Sequence, residues 1–215
     1  VGVRGRNNPP TRYTAETQVM LPTPAQLRAA RSEAIAPEIM ARYTSLPASV
    51  PDRVRQLAAD VAGASPVGDP SRPAYDQARA IEQFLHQYPY SLNLSPPPED
   101  VDIVDYFLFD LQTGFCDYYA SAMVVMARAV GLPARLGVGF LQQPAGPDGA
   151  QVIRQLDAHS WAEIYFAGYG WVEFEPTAPF AAAPAEVAGE ATPGPQATYE
   201  PFANPAPAIP ERAPQ

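Results

Sequence analysis

Gly114-Phe115-Cys116-Asp117-Tyr118-Tyr119-Ala120-Ser121-Ala122-Met123-Val124-Val125-Met126-Ala127-Arg128-Ala129-Val130-Gly131-Leu132-Pro133 is the stretch on which the fold turns. From Tyr118 to Val130 the residues are apolar almost all round a helical projection, and a helix without a polar face has to be covered on every side. Gly131 is suited to end it, and Pro133 prevents its continuation. Upstream, the turn at Gly114 puts Cys116 where this helix begins. The start of a helix carries unpaired backbone N–H groups and a partial positive charge, which lower a thiol pKa and favour the reactive thiolate. The N–H of Cys116 can also help to hold an oxyanion. Asp117 works the other way, because a neighbouring carboxylate raises a thiol pKa; a further cation is needed to overcome it.

His159 is the expected source of that cation. It opens the strand Ala158 to Phe166, where Trp161, Glu163 and Tyr165 share its face and Ser160, Ala162, Ile164 and Phe166 point the other way. The second histidine, His86, reads as a solvated residue on the polar side of an early helix. A third group follows from parity. Trp171 to Glu175 is expected to return as a hairpin through Gly168 and Gly170. With a loop of Phe166 to Gly170, Tyr165 faces Trp171 and Trp161 faces Glu175, so Glu175 falls on the face of His159. An even loop would turn Glu175 away, so the arrangement requires an odd loop or a bulge. Glu163 and Glu173 share that face and are rival partners. Taken singly, Cys116 also fits a small buried hydrophobe, His159 a satisfied core histidine and Glu175 an ordinary strand-end acid. Together they make a nucleophile, base and orienting acid.

Composition narrows the class. The chain has 215 residues, 47% hydrophobic and 17% charged, which suits a globular domain with a full core. The net charge is −9, and all 14 basic residues are Arg. Without a cationic patch the chain is a poor nucleic-acid binder, and without Lys it offers no side-chain amine of its own. One Cys excludes an internal disulfide framework and a Cys-rich zinc site. No apolar run approaches the ~20 residues of a membrane span, and no signal-peptide pattern opens the chain. The start at Val1 suggests a piece excised from a longer protein.

Along the chain, residues 1–22 read as an N-terminal extended segment, with Tyr13 to Leu21 a possible edge strand. Helices are expected at Ala25 to Ile35, after Pro24, and at Pro37 to Tyr43. Arg53 to Ala62 presents Val54, Leu57, Ala58 and Val61 on one face. Pro73 to Tyr88 carries the stripe Ala78, Ile81, Phe84 and Leu85, with Ser71 as candidate cap. A short helix is expected at Val101 to Phe109. Strands are expected at Arg135 to Gln142, Ala158 to Phe166 and Trp171 to Glu175. From Ala178 on, 9 of 38 residues are Pro and few are large and apolar, so 179–215 reads as a Pro/Ala-rich, disordered linker.

The text around the three residues resembles bacterial transglutaminase-like proteins. Gly114 to Met123 with Arg128-Ala129-Val130-Gly131-Leu132-Pro133-Ala134-Arg135 is similar to their nucleophile region. Asp157-Ala158-His159-Ser160-Trp161-Ala162-Glu163 is similar to their histidine strand, and Gly170-Trp171-Val172-Glu173-Phe174-Glu175-Pro176-Thr177 to their acid strand. The likeness covers roughly residues 50–178. It is to multi-pass membrane proteins of the protein-glutamine γ-glutamyltransferase type, which carry this domain on the outer face of the membrane.

The resemblance implies an α+β, papain-like domain over 23–178, with its core at 101–178: a buried Cys-bearing helix against an antiparallel sheet, covered by a helical N-terminal portion. It implies Cys116 as nucleophile, His159 as base and Glu175 in the acid's place, where the family usually has Asp. Arg135 belongs to the pattern and reads as a structural cation. Trp161 and Trp171 are expected to line a substrate cleft, and no metal or organic cofactor is needed. The substrates implied are a protein or peptide Gln or amide and an amine acceptor, and the location is extracytoplasmic, tethered to the membrane through segments outside this chain. A peptidase or amidase acting on cell-wall peptide shares the same site. A non-catalytic binding module shares the same scaffold.

Overall fold

A computed structural model describes residues 21–63, 72–147 and 149–178. The strand expected at Tyr13 to Leu21, the cap at Ser71 and the linker 179–215 lie outside the described residues, apart from Leu21, which has no regular structure.

The helices are α1 (Pro24–Ala29), α2 (Pro37–Tyr43), α3 (Asp52–Ala62), α4 (Ala74–Leu85), α5 (Ile103–Tyr106) and α6 (Cys116–Ala129); the strands are β1 (Ala134–Phe140), β2 (Ala158–Phe166) and β3 (Gly170–Phe174). Where local signals are strong, the elements follow them. Pro37 sits in the first turn of α2, a position that tolerates its missing N–H. Gly63 closes α3 with a left-handed φ of 61°, a conformation without penalty for glycine. The helix expected over Ala25 to Ile35 is interrupted instead. α1 ends at Ala29, Ala30 is extended, and a short 3-10 turn (Ser32–Ala34) follows. Neither Gly nor Pro lies at that break. A six-residue helix has little stability of its own, so its end is set by docking: Leu27 is buried and Arg28 Nε reaches Asp76 of α4 at 2.8 Å.

Asp102 caps α5 by accepting the N–H groups of Val104 and Asp105, each at 3.0 Å. The chain then widens into a π-helical turn (Phe107–Leu111) that ends at Gln112 with φ of 51°. This turn delivers the chain to Gly114. The N–H of Gly114 donates to Pro89 O at 3.3 Å, and its carbonyl accepts the N–H of Ser91 at 2.8 Å. A Cβ at 114 would lie 2.9 Å from Tyr118 Cβ, so the close approach requires glycine.

Helix α6 is the centre of the molecule, as its composition required. Tyr119, Ala120, Ala122, Met123, Met126 and Ala127 are fully buried. α3 and α4 cover one side and the sheet the other. The sheet is antiparallel in the order β1-β2-β3. Ala162, Ile164 and Phe166 of β2 are buried in the core that α6 shares, and the odd-numbered residues of β2 lie on the opposite face of the strand. At the start of β2, where the strand meets the beginning of α6, His159 on that face still reaches Cys116.

Candidate active site

Cys116 is the first residue of α6. Phe115 before it is extended and gives no side-chain cap, so the positive end of the helix is directed at the thiol and its surroundings. The start of the helix is pinned from below. Tyr119 Oη lies 2.8 and 2.7 Å from the carbonyls of Tyr88 and Pro89, and Thr113 Oγ1 donates to Pro89 O at 2.9 Å.

The register of β2 and β3 pairs Tyr165 with Trp171 and Phe166 with Gly170. Three residues remain in the turn, the odd number needed to put Glu175 on the face of His159. Glu175 lies one residue beyond β3, and its Oε2 accepts a hydrogen bond from His159 Nε2 at 2.5 Å. With Nε2 so engaged, Nδ1 is the ring nitrogen left to meet Cys116, and thiol and imidazole are hydrogen-bonded to each other. Of the rival acids, Glu163 is ion-paired with Arg135 Nε, and Glu173 lies opposite it in the ladder, four residues along β2 from His159.

Electrostatics favour the ion pair. Burial opposes the thiolate of Cys116, as does Asp117, but hydrogen bonds from His159 and from the hydroxyl and backbone of Ser160 bring its pKa below the ordinary thiol value. Burial likewise opposes the charged form of His159, yet the hydrogen bonds and charges of Cys116 and Glu175 push it up to about 9. Both shifts favour the pair as thiolate and imidazolium. That is the ionisation state a cysteine nucleophile uses, with the imidazolium positioned to protonate a leaving group.

Ser160 points toward α6, and its hydroxyl donates to Asp117 Oδ1 at 2.7 Å. Asp117 Oδ1 lies 3.9 Å from Cys116 Sγ. A hydroxyl has one proton, so Ser160 serves either Asp117 or the sulfur at a given moment. By taking up the carboxylate, it draws Asp117's lone pairs away from the thiolate.

The two tryptophans separate. Trp161 is two residues from His159 on the same face, and its indole lies flat on β1: a Cβ at Gly137 would collide with Nε1, and one at Gly139 would lie 3.0 Å from the ring. His159 pairs with Gly139, so the ring extends over the strand position opposite His159. Trp171 is not brought to the site. It faces Tyr165, six residues along β2 from His159, or about 20 Å at a strand's rise. There it meets the edge of Tyr43 at a centroid distance of 4.7 Å, with the Arg135 guanidinium 4.2 Å above its ring. Its expected place in the cleft is corrected by register: the same hairpin that delivers Glu175 to His159 carries Trp171 to the far end of the sheet. Arg135 fits the structural role expected of it.

His86 also departs from expectation. It is half-buried, and its Nε2 lies 2.8 Å from the carbonyl oxygen of Glu175. One turn earlier on α4, Glu82 is 4% exposed and accepts the N–H of Glu175 at 3.0 Å. The missed signal was a Glu set within the stripe of Ala78, Ile81 and Leu85, four residues before a His. Charged residues rarely enter such a stripe without a partner.

Residues 56–176 match the family model described as the transglutaminase-like superfamily. A protein-glutamine gamma-glutamyltransferase of Pseudomonas aeruginosa is 35% identical over 151 residues, covering 70% of this chain and 22% of its own length. An uncharacterized Bacillus subtilis protein, YebA, is 37% identical over 147 residues, covering 65% of this chain and 19% of its own. The chain thus spans about a fifth of each of these relatives. Among solved structures, the periplasmic domain of TgpA from Pseudomonas aeruginosa superposes with a TM-score of 0.56 at 33% identity, over 68% of this chain and 51% of that one.

Proposed function

The chain belongs to the transglutaminase-like superfamily, and from that premise we propose that it transfers acyl groups from glutamine side chains to amines through a thioester on Cys116. The observation that carries the reading is the continuous line from the Cys116 thiol through the imidazole of His159 to the carboxylate of Glu175, the last link being 2.5 Å. In the proposed reaction the thiolate attacks the carboxamide carbon, and the oxyanion is held by N–H groups at the start of α6, that of Cys116 among them. His159 gives its Nδ1 proton to the departing ammonia, leaving a thioester. An incoming amine then loses a proton to His159 as it displaces the sulfur, which closes the cycle with an isopeptide bond and a regenerated thiolate. Glu175 keeps Nε2 protonated and stabilises the imidazolium. Trp161 forms the apolar wall on the face of β2 that carries His159.

The substrates in this reading are a protein or peptide glutamine and an amine acceptor. The periplasmic origin of the TgpA domain supports an extracytoplasmic location in a membrane-tethered protein. Among the described residues no helix is long and apolar enough to cross a membrane.

Incubation of the 215-residue chain with a glutamine peptide and a labelled amine tests the proposal. Amine incorporation is expected, with ammonia released in equal amount, and both lost in Cys116→Ser. Ammonia release without incorporation at saturating amine would make the enzyme a hydrolase. Neither product, together with alkylation of Cys116 only near a free thiol's pKa of about 8.5, would leave a binding module.

A further inference from the structure

Glu175 occupies an awkward place. It follows the last residue of β3, so the ladder to β2 no longer takes up its backbone N–H and C=O. Pro176 comes next and contributes no N–H. The side chain is one methylene longer than the Asp usual in this family, which adds a rotatable bond between backbone and carboxylate. A carboxylate that must meet one ring nitrogen from such a position needs its backbone held.

The C-terminal end of helix α4 supplies that hold from two side chains one turn apart, Glu82 in its last turn and His86 as the residue that follows it. The Glu82 carboxylate accepts the N–H of Glu175 at 3.0 Å through Oε1, while its Oε2 is ion-paired with Arg79. His86 Nε2–H donates to the C=O of Glu175 at 2.8 Å. Both backbone polar atoms of one residue are thus engaged by positions 82 and 86 of the same helix face. At the far end of the side chain, the N–H of Thr177 donates to Glu175 Oε1 at 2.9 Å, leaving Oε2 for His159. An i,i+3 ion pair with Arg79 works equally well at the surface and does not by itself account for a carboxylate that is 4% exposed. The bond to the Glu175 N–H does.

We propose that Glu82 and His86 are positioning residues: they fix the backbone of Glu175 so that its carboxylate orients His159 toward Cys116. This rests on the reading of Cys116, His159 and Glu175 given above. The two residues touch neither the thiol nor a substrate and act through Glu175. Their donor and acceptor roles are specific, since position 86 must donate and position 82 must accept.

The test uses the single thiol of the full chain, so that iodoacetamide reports Cys116 alone and no substrate need be known. Alkylation rates are followed from pH 5 to pH 9. In His86→Phe, which keeps a ring and loses the donor, the rate at pH 6 is expected to fall at least about tenfold, as for one unit of thiol pKa. Glu82→Met is expected to do the same. His86→Gln and Glu82→Gln, which keep a donor and an acceptor, should stay within about threefold of wild type. Added to Glu175→Ala, His86→Phe should bring no further loss, because it acts through that residue. The inference is overturned if His86→Phe or Glu82→Met, with wild-type near-ultraviolet circular dichroism, follows the wild-type profile while Glu175→Ala shifts it. Should either apolar variant fail to fold, the decision passes to the Gln pair, and a tenfold loss in both overturns the donor and acceptor assignment. If Glu175→Ala itself leaves the profile unchanged, the reading of the site fails rather than the clamp alone.

Discussion

Cys116 and Glu175 stand at the two ends of one hydrogen-bonded line, and they are held there by different means. Cys116 is set by its own segment: a glycine that permits close packing, an uncapped helix start and a helix buried on all sides. Glu175 has no such local frame. It lies past the end of its strand and is held by α4, some 90 residues earlier in the chain. A nucleophile can be coded by a contiguous stretch because a helix terminus supplies its charge stabilisation directly. An orienting acid acts through geometry, and geometry at a strand end depends on whatever packs against it.

That contrast can be broken most forcefully at the sulfur. Cys116→Ser is expected to remove amine incorporation by at least about 10³-fold, because the acyl group then has no thiolate to accept it. Next is the acid. Glu175→Ala should lower kcat by about 10² to 10⁴, the range lost when an orienting carboxylate is removed from a histidine, and Glu175→Asp should keep activity within about tenfold. Full activity in Glu175→Ala would mean that His159 takes its orientation from another group.

The pH dependence sharpens the same comparison. His159 is pushed up to about 9 and Cys116 is lowered, so incorporation should fall on the alkaline side near 9, as the imidazolium loses its proton, and on the acid side as the thiolate takes one up. Stability follows the two groups in opposite senses. The contribution of His159 is complete below its unfolded value of 6.5 and is lost as pH rises through about 9. That of Cys116 is complete above its unfolded value of 9.0 and is lost as pH falls through its lowered value. A urea titration series across pH 5 to 10 with His159→Asn as reference would measure the first. A wild-type curve parallel to that of the variant from pH 6.5 to 9 would contradict the shift.

Smaller effects probe the surroundings of each end. Ser160→Ala removes the hydroxyl that engages Asp117 and should slow alkylation of Cys116 at pH 7 by about two- to fivefold, the scale of one hydrogen bond. A faster reaction would mean that Ser160 restrains the thiolate. Gly137→Ala places a methyl against the Trp161 indole and should cost about 1–3 kcal/mol of stability in denaturant melts. The accompanying displacement of Trp161 should raise KM more than it lowers kcat if the ring is a cleft wall.

The sequence by itself determined the central helix, its start at the cysteine and the strand that carries His159; it set only the condition, an odd loop, under which Glu175 shares that face, and the register met it. Each of these follows from periodicity or from the conformational limits of Gly and Pro, and such information is local. The tertiary structure alone decided which acid reaches the imidazole, since Glu163 satisfies the same parity but is taken by Arg135. It also decided that Trp171 lies at the far end of the sheet, that His86 faces inward and that Glu82 is buried against the strand end. Those outcomes depend on how α4 packs against the end of β3 and on how far along the strand each register position falls. Neither quantity is written in the order of residues around any one of them.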